Sequence, residues 1–292
     1  MKKIQGTITA MVTPFNKDGS IDWGAFRQFI EDQIAGGVEG LLPVGTSGES
    51  PTLNRNEHLK VIEETIKTAA GRVLVIAGTG ANSTHEAADL TKEVVAMGGA
   101  DATLQVTPYY NKPNAEGLYR HFASIADLGL PVVLYNVPGR AAREIPVDTV
   151  VRLSAHENVA AIKEAAGSVE RVSMIRSRCD LTVLSGDDSL TLPMISVGAS
   201  GVISVASNVA PREVSDFVRA CLSADMVKAR AMHYSLYKLF KVLFADTNPI
   251  PVKEALALMG RIEPVFRLPL CETTPEIREK IKTVLEEKGF LK

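Results

Sequence analysis

The chain has 292 residues, 46% hydrophobic and 23% charged, an ordinary globular balance that excludes disordered and fibrous classes. Its 32 Lys and Arg against 34 Asp and Glu leave a net charge of -2, and no basic run is long enough to track a phosphate backbone. No nucleic-acid partner is expected on that balance, and the length suits either two domains or one α/β barrel of about 250 residues.

At the N-terminus two lysines are followed by Gln5, Thr7, Thr9, Thr13 and Pro14, where a leader peptide needs an apolar run, so a soluble cytoplasmic protein is expected. From residue 6 to about 222, short apolar runs alternate with amphipathic stretches. The runs are GTITAMVTPF (6–15), GLLPVGT (40–46), VLVIAGTG (73–80), ATLQVTPYY (102–110), PVVLYNV (131–137), VAAIKEA (159–165), LTVLSGDD (181–188) and GVISVAS (201–207). Each is rich in Val, Ile, Leu or Thr, as suits a strand buried on both faces. Helix starts are visible between them: Ser83 with Glu86 has capping-box spacing, and so has Asn54 with Glu57. Eight such units of about 27 residues approach the length of a βαβ repeat. Eight strands with seven intervening helices predict a closed (β/α)8 TIM barrel, with an open doubly wound sheet as the alternative.

No residue between Asp188 and Arg212 carries a formal charge, but Ser, Thr, Asn, Gly and Pro recur through the segment. It predicts a buried strand flanked by turns rather than a membrane span. Beyond residue 225 the strand signal stops and helices are predicted over 225–244, 249–259 and 274–289, the last capped by Thr274 with Pro275 in the first helical position. The expected organisation is a barrel over 1–224 and a C-terminal helical region over 225–292. Cys179, Cys221 and Cys271 form no CxxC pair, which favours a reducing compartment. The five histidines show no paired spacing, so neither a metal nor another cofactor is expected.

In a barrel, reactive groups gather where strands end and βα loops begin. Those ends carry Gly45-Thr46-Ser47-Gly48-Glu49, Tyr109-Tyr110, Tyr135-Asn136 and Gly186-Asp187-Asp188, and Lys163 sits inside the sixth strand. A lysine flanked by Ala161 and Ile162 is a snorkelling residue whose ammonium reaches water, or one paired with Glu164 or Asp187, or a nucleophile that forms an imine. A solvated lysine of ordinary pKa presents a free amine in roughly one molecule in 2,500 at neutral pH, and apolar surroundings disfavour the ammonium. Imine chemistry also needs proton transfer, which the hydroxyls of Tyr135, Tyr110 and Thr46 can relay without a histidine. The loop at 45–50 lacks the lysine of a P-loop, and Gly78-Thr79-Gly80 lacks the third glycine of a dinucleotide fingerprint. Amides and hydroxyls at Thr46 and Ser47 can still hold a small carboxylate, and Arg140 can fork onto a second.

In this order and spacing, GTSGES, VTPYYNKP, YNVPGR, IKEA, LSGDD and GVISV resemble the dihydrodipicolinate synthase family of pyruvate-dependent class I aldolases, in the N-acetylneuraminate lyase superfamily. The likeness extends through NPIPVKEAL and RLPL in the tail. It implies a (β/α)8 barrel with a C-terminal helical region, assembled as a homotetramer that is a dimer of dimers. The implied reaction is condensation of pyruvate with L-aspartate 4-semialdehyde on the diaminopimelate route to lysine. By the same resemblance, Lys163 forms the pyruvate imine, Tyr135 is the general acid/base, and Thr46 and Tyr110 complete the relay, Tyr110 being donated across a dimer interface. Ser47 and the Ile203 backbone bind pyruvate, Arg140 holds the semialdehyde carboxylate, and Gly186 joins the substrate-binding set.

Two positions depart from the family pattern. Ser47 stands where the family commonly has Thr, which keeps the hydroxyl. Ser50, His58, Asn82, Glu86 and Tyr109 match positions of an allosteric lysine site, but Arg55 stands where a His is common, and a cation beside a cationic ligand weakens binding. Arg140 separates this reading from the superfamily's sugar-acid lyases, of which a 2-keto-3-deoxy sugar-acid lyase is the alternative. A non-catalytic protein sensing pyruvate or lysine is opposed by the intact Lys163, Tyr135, Thr46 and Tyr110 set.

Overall fold

A computed structural model describes residues 2–291. Eight parallel strands close into a barrel in sequence order: β1 (Gly6–Ala10), β2 (Gly40–Leu42), β3 (Leu74–Gly78), β4 (Ala102–Val106), β5 (Val132–Asn136), β6 (Val159–Glu164), β7 (Thr182–Ser185) and β8 (Gly201–Ser204). Their β-branched and aliphatic residues are buried on both faces, as parallel strands under a helical coat require. Every predicted run contains its strand, but the strands are only 3–6 residues long. The C-terminal part of each run leaves the barrel as a loop; Thr46, Ser47 and Asp187 lie in such loops, whereas Tyr135 and Lys163 lie in the strands themselves.

The coat is α1 (Trp23–Ala35), α2 (Arg55–Ala69), α3 (Thr84–Met97), α4 (Ala115–Ala126), α5 (Pro138–Ala141), α6 (Val147–Leu153), α7 (Val169–Arg176), α8 (Thr191–Ser196) and α9 (Pro211–Leu222). Then come α10 (Met226–Val242), α11 (Ile250–Leu258) and α12 (Pro275–Glu287). Three details differ from the sequence expectation. Two helices, not one, join β5 to β6, because Pro138 starts a single extra turn over the motif that carries Arg140. The uncharged stretch before β8 holds the short helix α8 rather than turns alone. Asn54 and Glu57 make a full capping box with reciprocal bonds of 3.0 Å, whereas Ser83 only accepts from Glu86 N–H at 3.5 Å. Glu86 is thus left to face other groups.

Strand alternation decides which side chains enter the barrel. Ala161 belongs to the inner cluster and Ile162 to the outer one, so Lys163 points inward and Glu164 outward. The same parity on β5 turns Val133 and Tyr135 inward and Leu134 and Asn136 outward. Beyond the barrel, α10 packs on α9 and α12, with Phe217 and Phe240 ring centroids 5.9 Å apart. Ile281 and Leu285 of α12 are buried beneath them. Among the described residues no helix is long and apolar enough to cross a membrane. None forms a group of three or more His, Cys, Asp or Glu placed to hold a metal.

Candidate active site

The register of β5 against β6 places Tyr135 beside Lys163. The amine lies 4.3 Å from the Tyr135 ring centroid, and Lys163 is 6% exposed. Among the described residues Lys163 makes no ion pair: Glu164, its neighbour in sequence, is bound to Arg171 on the other face of the strand. Asp187 is likewise engaged by Ser189, so the pairing with Glu164 or Asp187 is not what the structure adopts. Gly186 leaves space for the lysine stem, since a Cβ there would lie 2.6 Å from Ala165 Cβ and 3.1 Å from Lys163 Cε.

Lys163 and Tyr135 open into a cavity of about 150 Å³ that Thr46, Ser47, Arg140 and Gly186 also line. The turn after β2 is wound tightly, with Gly48 N–H and Glu49 N–H donating to Gly45 O and Thr46 O, both at 3.1 Å. Ser47 Oγ accepts from Asn248 Nδ2 at 3.0 Å, and its O–H reaches Asn248 Oδ1 only at 3.5 Å, a long contact that a ligand acceptor can replace. Arg140 donates to the Asn248 carbonyl at 3.0 Å and keeps its remaining N–H groups for an anion. Ile203 is fully buried in the inner cluster and is not among the lining residues; Val205, two positions further on, is.

Behind the two central strands lies a polar layer. Asn136 Nδ2 donates to both Glu164 oxygens, at 2.9 and 3.1 Å, and Arg171 Nε and Ala166 N–H donate to the same carboxylate. Asn136 Oδ1 accepts Ile145 N–H at 2.9 Å, so this layer also anchors the far end of the loop bearing Arg140. Burial pushes the Glu164 carboxyl up, opposed by Arg171 and Asn136. The Asp187-Asp188 pair splits. Asp187 lines the cavity but is engaged by Ser189, while Asp188 is buried and accepts from Ser204 Oγ, Val205 N–H and Ala206 N–H.

Burial raises the Asp188 carboxyl from 3.8 to about 6. Between those values the folded chain holds a proton that the unfolded chain has released, so this group's contribution to stability falls as pH rises. The loss is on the order of 3 kcal/mol and is complete above pH 6. Asp188→Asn, which retains the acceptor for both N–H groups, is expected to narrow the difference between urea midpoints measured at pH 4.5 and 7.5. A variant with the wild-type difference would mean that Asp188 ionises normally.

A second cavity of about 210 Å³ adjoins the first, shares Thr46, Tyr135 and Arg140 with it, and reaches Ser50 and Tyr109. Asn82 Nδ2 donates to Tyr109 O at 3.2 Å. His58 meets Gly78 O at 2.7 Å, and its burial lowers its pKa while the charge of Glu86 raises it. Glu86 also raises the Tyr109 hydroxyl, second to burial. Ser50, His58, Asn82, Glu86 and Tyr109 are thus brought into one neighbourhood, and Arg55, paired with Glu93 at 3.1 Å, adds a cation felt at His58. Tyr110 is apart from both cavities, 90% exposed at a left-handed φ of 74°.

Sequence reasoning assigned no substrate role to Asp187 and did not name Asn248, Phe244 or Val205 as site residues, yet all four line the first cavity. Asp187 was visible as a strand-end acid, but the other three carry no chemical signal of their own. Asn248 and Phe244 come from the helical tail, where only the NPIPVKEAL run marked the segment.

Comparison with known proteins gives consistent results. The model of the Dihydrodipicolinate synthetase family matches residues 3–288. The 4-hydroxy-tetrahydrodipicolinate synthase of Hydrogenobaculum sp. (strain Y04AAS1) is 53% identical over 291 residues, 99% of this chain and 100% of that protein. The crystal structure of dihydrodipicolinate synthase from Aquifex aeolicus superimposes with a TM-score of 0.96 at 50% identity, covering 98% of this chain and 99% of that one. The chloride-inhibited dihydrodipicolinate synthase from Acinetobacter baumannii, complexed with pyruvate, gives 0.97 at 43% identity, covering 99% and 100%.

Proposed function

The chain belongs to the dihydrodipicolinate synthetase family, and from that premise we propose that it condenses pyruvate, held as an imine on Lys163, with L-aspartate 4-semialdehyde on the diaminopimelate route to lysine. It is a lyase of the Schiff-base aldolase type. The observation that carries the residue assignment is the convergence of Lys163, Tyr135, Thr46, Ser47 and Arg140 on one cavity.

The Lys163 amine adds to the carbonyl carbon of pyruvate, and the carbinolamine loses water to give an iminium. Loss of a methyl proton yields the enamine, whose carbon attacks the aldehyde carbon while the aldehyde oxygen takes up a proton. The substrate's own amine then displaces Lys163 from the imine carbon and closes the ring. Tyr135 and Thr46 relay the protons, joined by Tyr110 from a second copy of the chain. Ser47 holds the pyruvate carboxylate, the Ile203 backbone contacts pyruvate, Gly186 lines the same cavity as Ser47, and Arg140 holds the carboxylate of the semialdehyde.

We read the chain as a barrel over 1–224 whose helical region, 225–292, supplies Asn248 and Phe244 to the cavity mouth. A cytoplasmic homotetramer built as a dimer of dimers fits the exposed Tyr110 at its left-handed φ, which lines neither cavity of its own chain, and the free cysteines. The neighbourhood of Tyr109, His58 and Glu86 is read as a lysine site weakened by Arg55.

The test is a coupled assay of pyruvate with aspartate semialdehyde, in which dihydrodipicolinate reductase oxidises NADPH. Enzyme-dependent oxidation is expected, and adding L-lysine to the same cuvette reads the second site. No oxidation, with pyruvate still trapped by borohydride, would move the assignment to a sugar-acid lyase. Arg140→Ala is expected to raise KM for the semialdehyde about 10- to 100-fold, the loss of a charge-assisted contact, with pyruvate trapping intact. Equal damage to both substrates would make Arg140 a structural residue.

A further inference from the structure

Among the described residues two lysines are buried, and only Lys163 lines the substrate cavity. The other, Lys253, stands in the first turn of α11, where its N–H donates to Pro249 O at 3.0 Å and ties it to the Asn248 end of the helix. Its ammonium meets a Glu49 oxygen, and both side chains are fully closed to solvent. The second Glu49 oxygen accepts Arg267 N–H at 3.2 Å. Phe15 lies against the group, with its ring centroid 4.3 Å from Lys253 Nζ and 4.5 Å from Arg267 Cζ.

Desolvating two charges commonly costs as much as their pairing returns, so an apolar pair of equal volume would hold the fold as well. What the ion pair connects is more informative. Glu49 adopts φ 55°, a left-handed backbone that a side-chain-bearing residue keeps only where its surroundings hold it. From there its N–H donates to Thr46 O, so Glu49 closes the turn that presents Thr46 and Ser47. At the other end, Asn248 donates to Ser47 Oγ and accepts from Arg140. The two segments are thus joined twice, at the cavity face by Ser47 and Asn248 and behind it by Glu49 and Lys253.

We propose that Glu49 and Lys253 are positioning residues for the substrate cavity, their buried ion pair fixing the Thr46–Ser47 turn against the Asn248 end of the helical region. Neither side chain touches substrate; they act through Ser47, Thr46 and Asn248. The proposal rests on the reading of Lys163 as the imine-forming residue.

The experiment compares the full-length wild type with Glu49→Gln, Lys253→Met and the double variant by thermal unfolding, borohydride trapping of pyruvate and steady-state kinetics. A wild type that traps no pyruvate would sink the function and this proposal together. Given trapping in the wild type, the double variant, which buries no charge and nearly preserves volume, is expected to unfold cooperatively and still to trap at saturating pyruvate. Its half-saturating pyruvate should rise at least about tenfold and its turnover fall about a hundredfold, the size associated with a misplacement of about 1 Å. The double variant should be no worse than the worse single one, because the pair acts as a unit. A folded double variant with wild-type half-saturation and turnover would overturn the proposal while leaving the function intact. Lys253→Arg is the second arm, keeping the charges but lengthening the bridge. Raised half-saturation with unchanged melting is expected there, and wild-type kinetics in that folded protein would equally overturn the assignment.

Discussion

Lys163→Ala is expected to abolish the borohydride-trapped pyruvate adduct and to lower turnover by at least about 10⁴-fold, the scale on which a covalent enzyme responds to loss of its nucleophile. The chain should still fold, because the ammonium removed has no ion-pair partner among the described residues and its side chain lines a cavity. Peptide mapping of the reduced wild-type adduct is expected to find the modification on Lys163 alone. Lys253, the other buried lysine, is engaged by Glu49 and has no exposed atom through which pyruvate could reach it. Surface lysines are solvated and lack the hydroxyl relay. An adduct that persists in Lys163→Ala, or a variant of near wild-type turnover, would remove the imine mechanism from this site.

How much of this was legible in the sequence depended on whether a residue's signal was local. Lys163 was conspicuous as a charge within an apolar strand, and strand parity alone decides between the barrel interior and the coat. Thr46, Ser47 and Tyr135 were visible as polar residues at strand ends. The length of each strand was not, since an apolar run reads alike whether its last residues pair in the sheet or turn away from it. The helix α5, four residues over PGRA, is too short to show a period, and α8 was hidden by Pro193 and a lack of charge. Asn248 carries no local mark of its role. Nor do Glu49 and Lys253, whose contact spans 204 residues of sequence. Motif position assigns Tyr110 to the relay and Tyr109 to the lysine site, and the structure lines a cavity with Tyr109 and leaves Tyr110 in solvent at a φ of 74°, a difference no local sequence signal carries.

Tyr135→Phe separates the two functions that one ring can serve. The ring is buried in the inner cluster with its centroid 4.3 Å from the Lys163 amine, and phenylalanine preserves that contact and the cavity shape. What is lost is the hydroxyl, to which the proposed function assigns the proton transfers to the carbinolamine and to the aldehyde oxygen. Turnover is therefore expected to fall about 10²- to 10⁴-fold, the usual worth of a positioned acid/base. Half-saturating pyruvate should change by less than about threefold, because Ser47 and Lys163 still hold it. Melting temperature is expected to stay close to wild type, since the change removes one oxygen without opening a cavity among apolar neighbours. The two rates localise the defect. If trapping at saturating pyruvate stays fast while turnover collapses, the hydroxyl acts after imine formation, on the enamine and aldehyde. If trapping slows in proportion to turnover, its main service is the dehydration of the carbinolamine. Unchanged turnover would take Tyr135 out of the proton relay and leave it as the wall against which Lys163 rests.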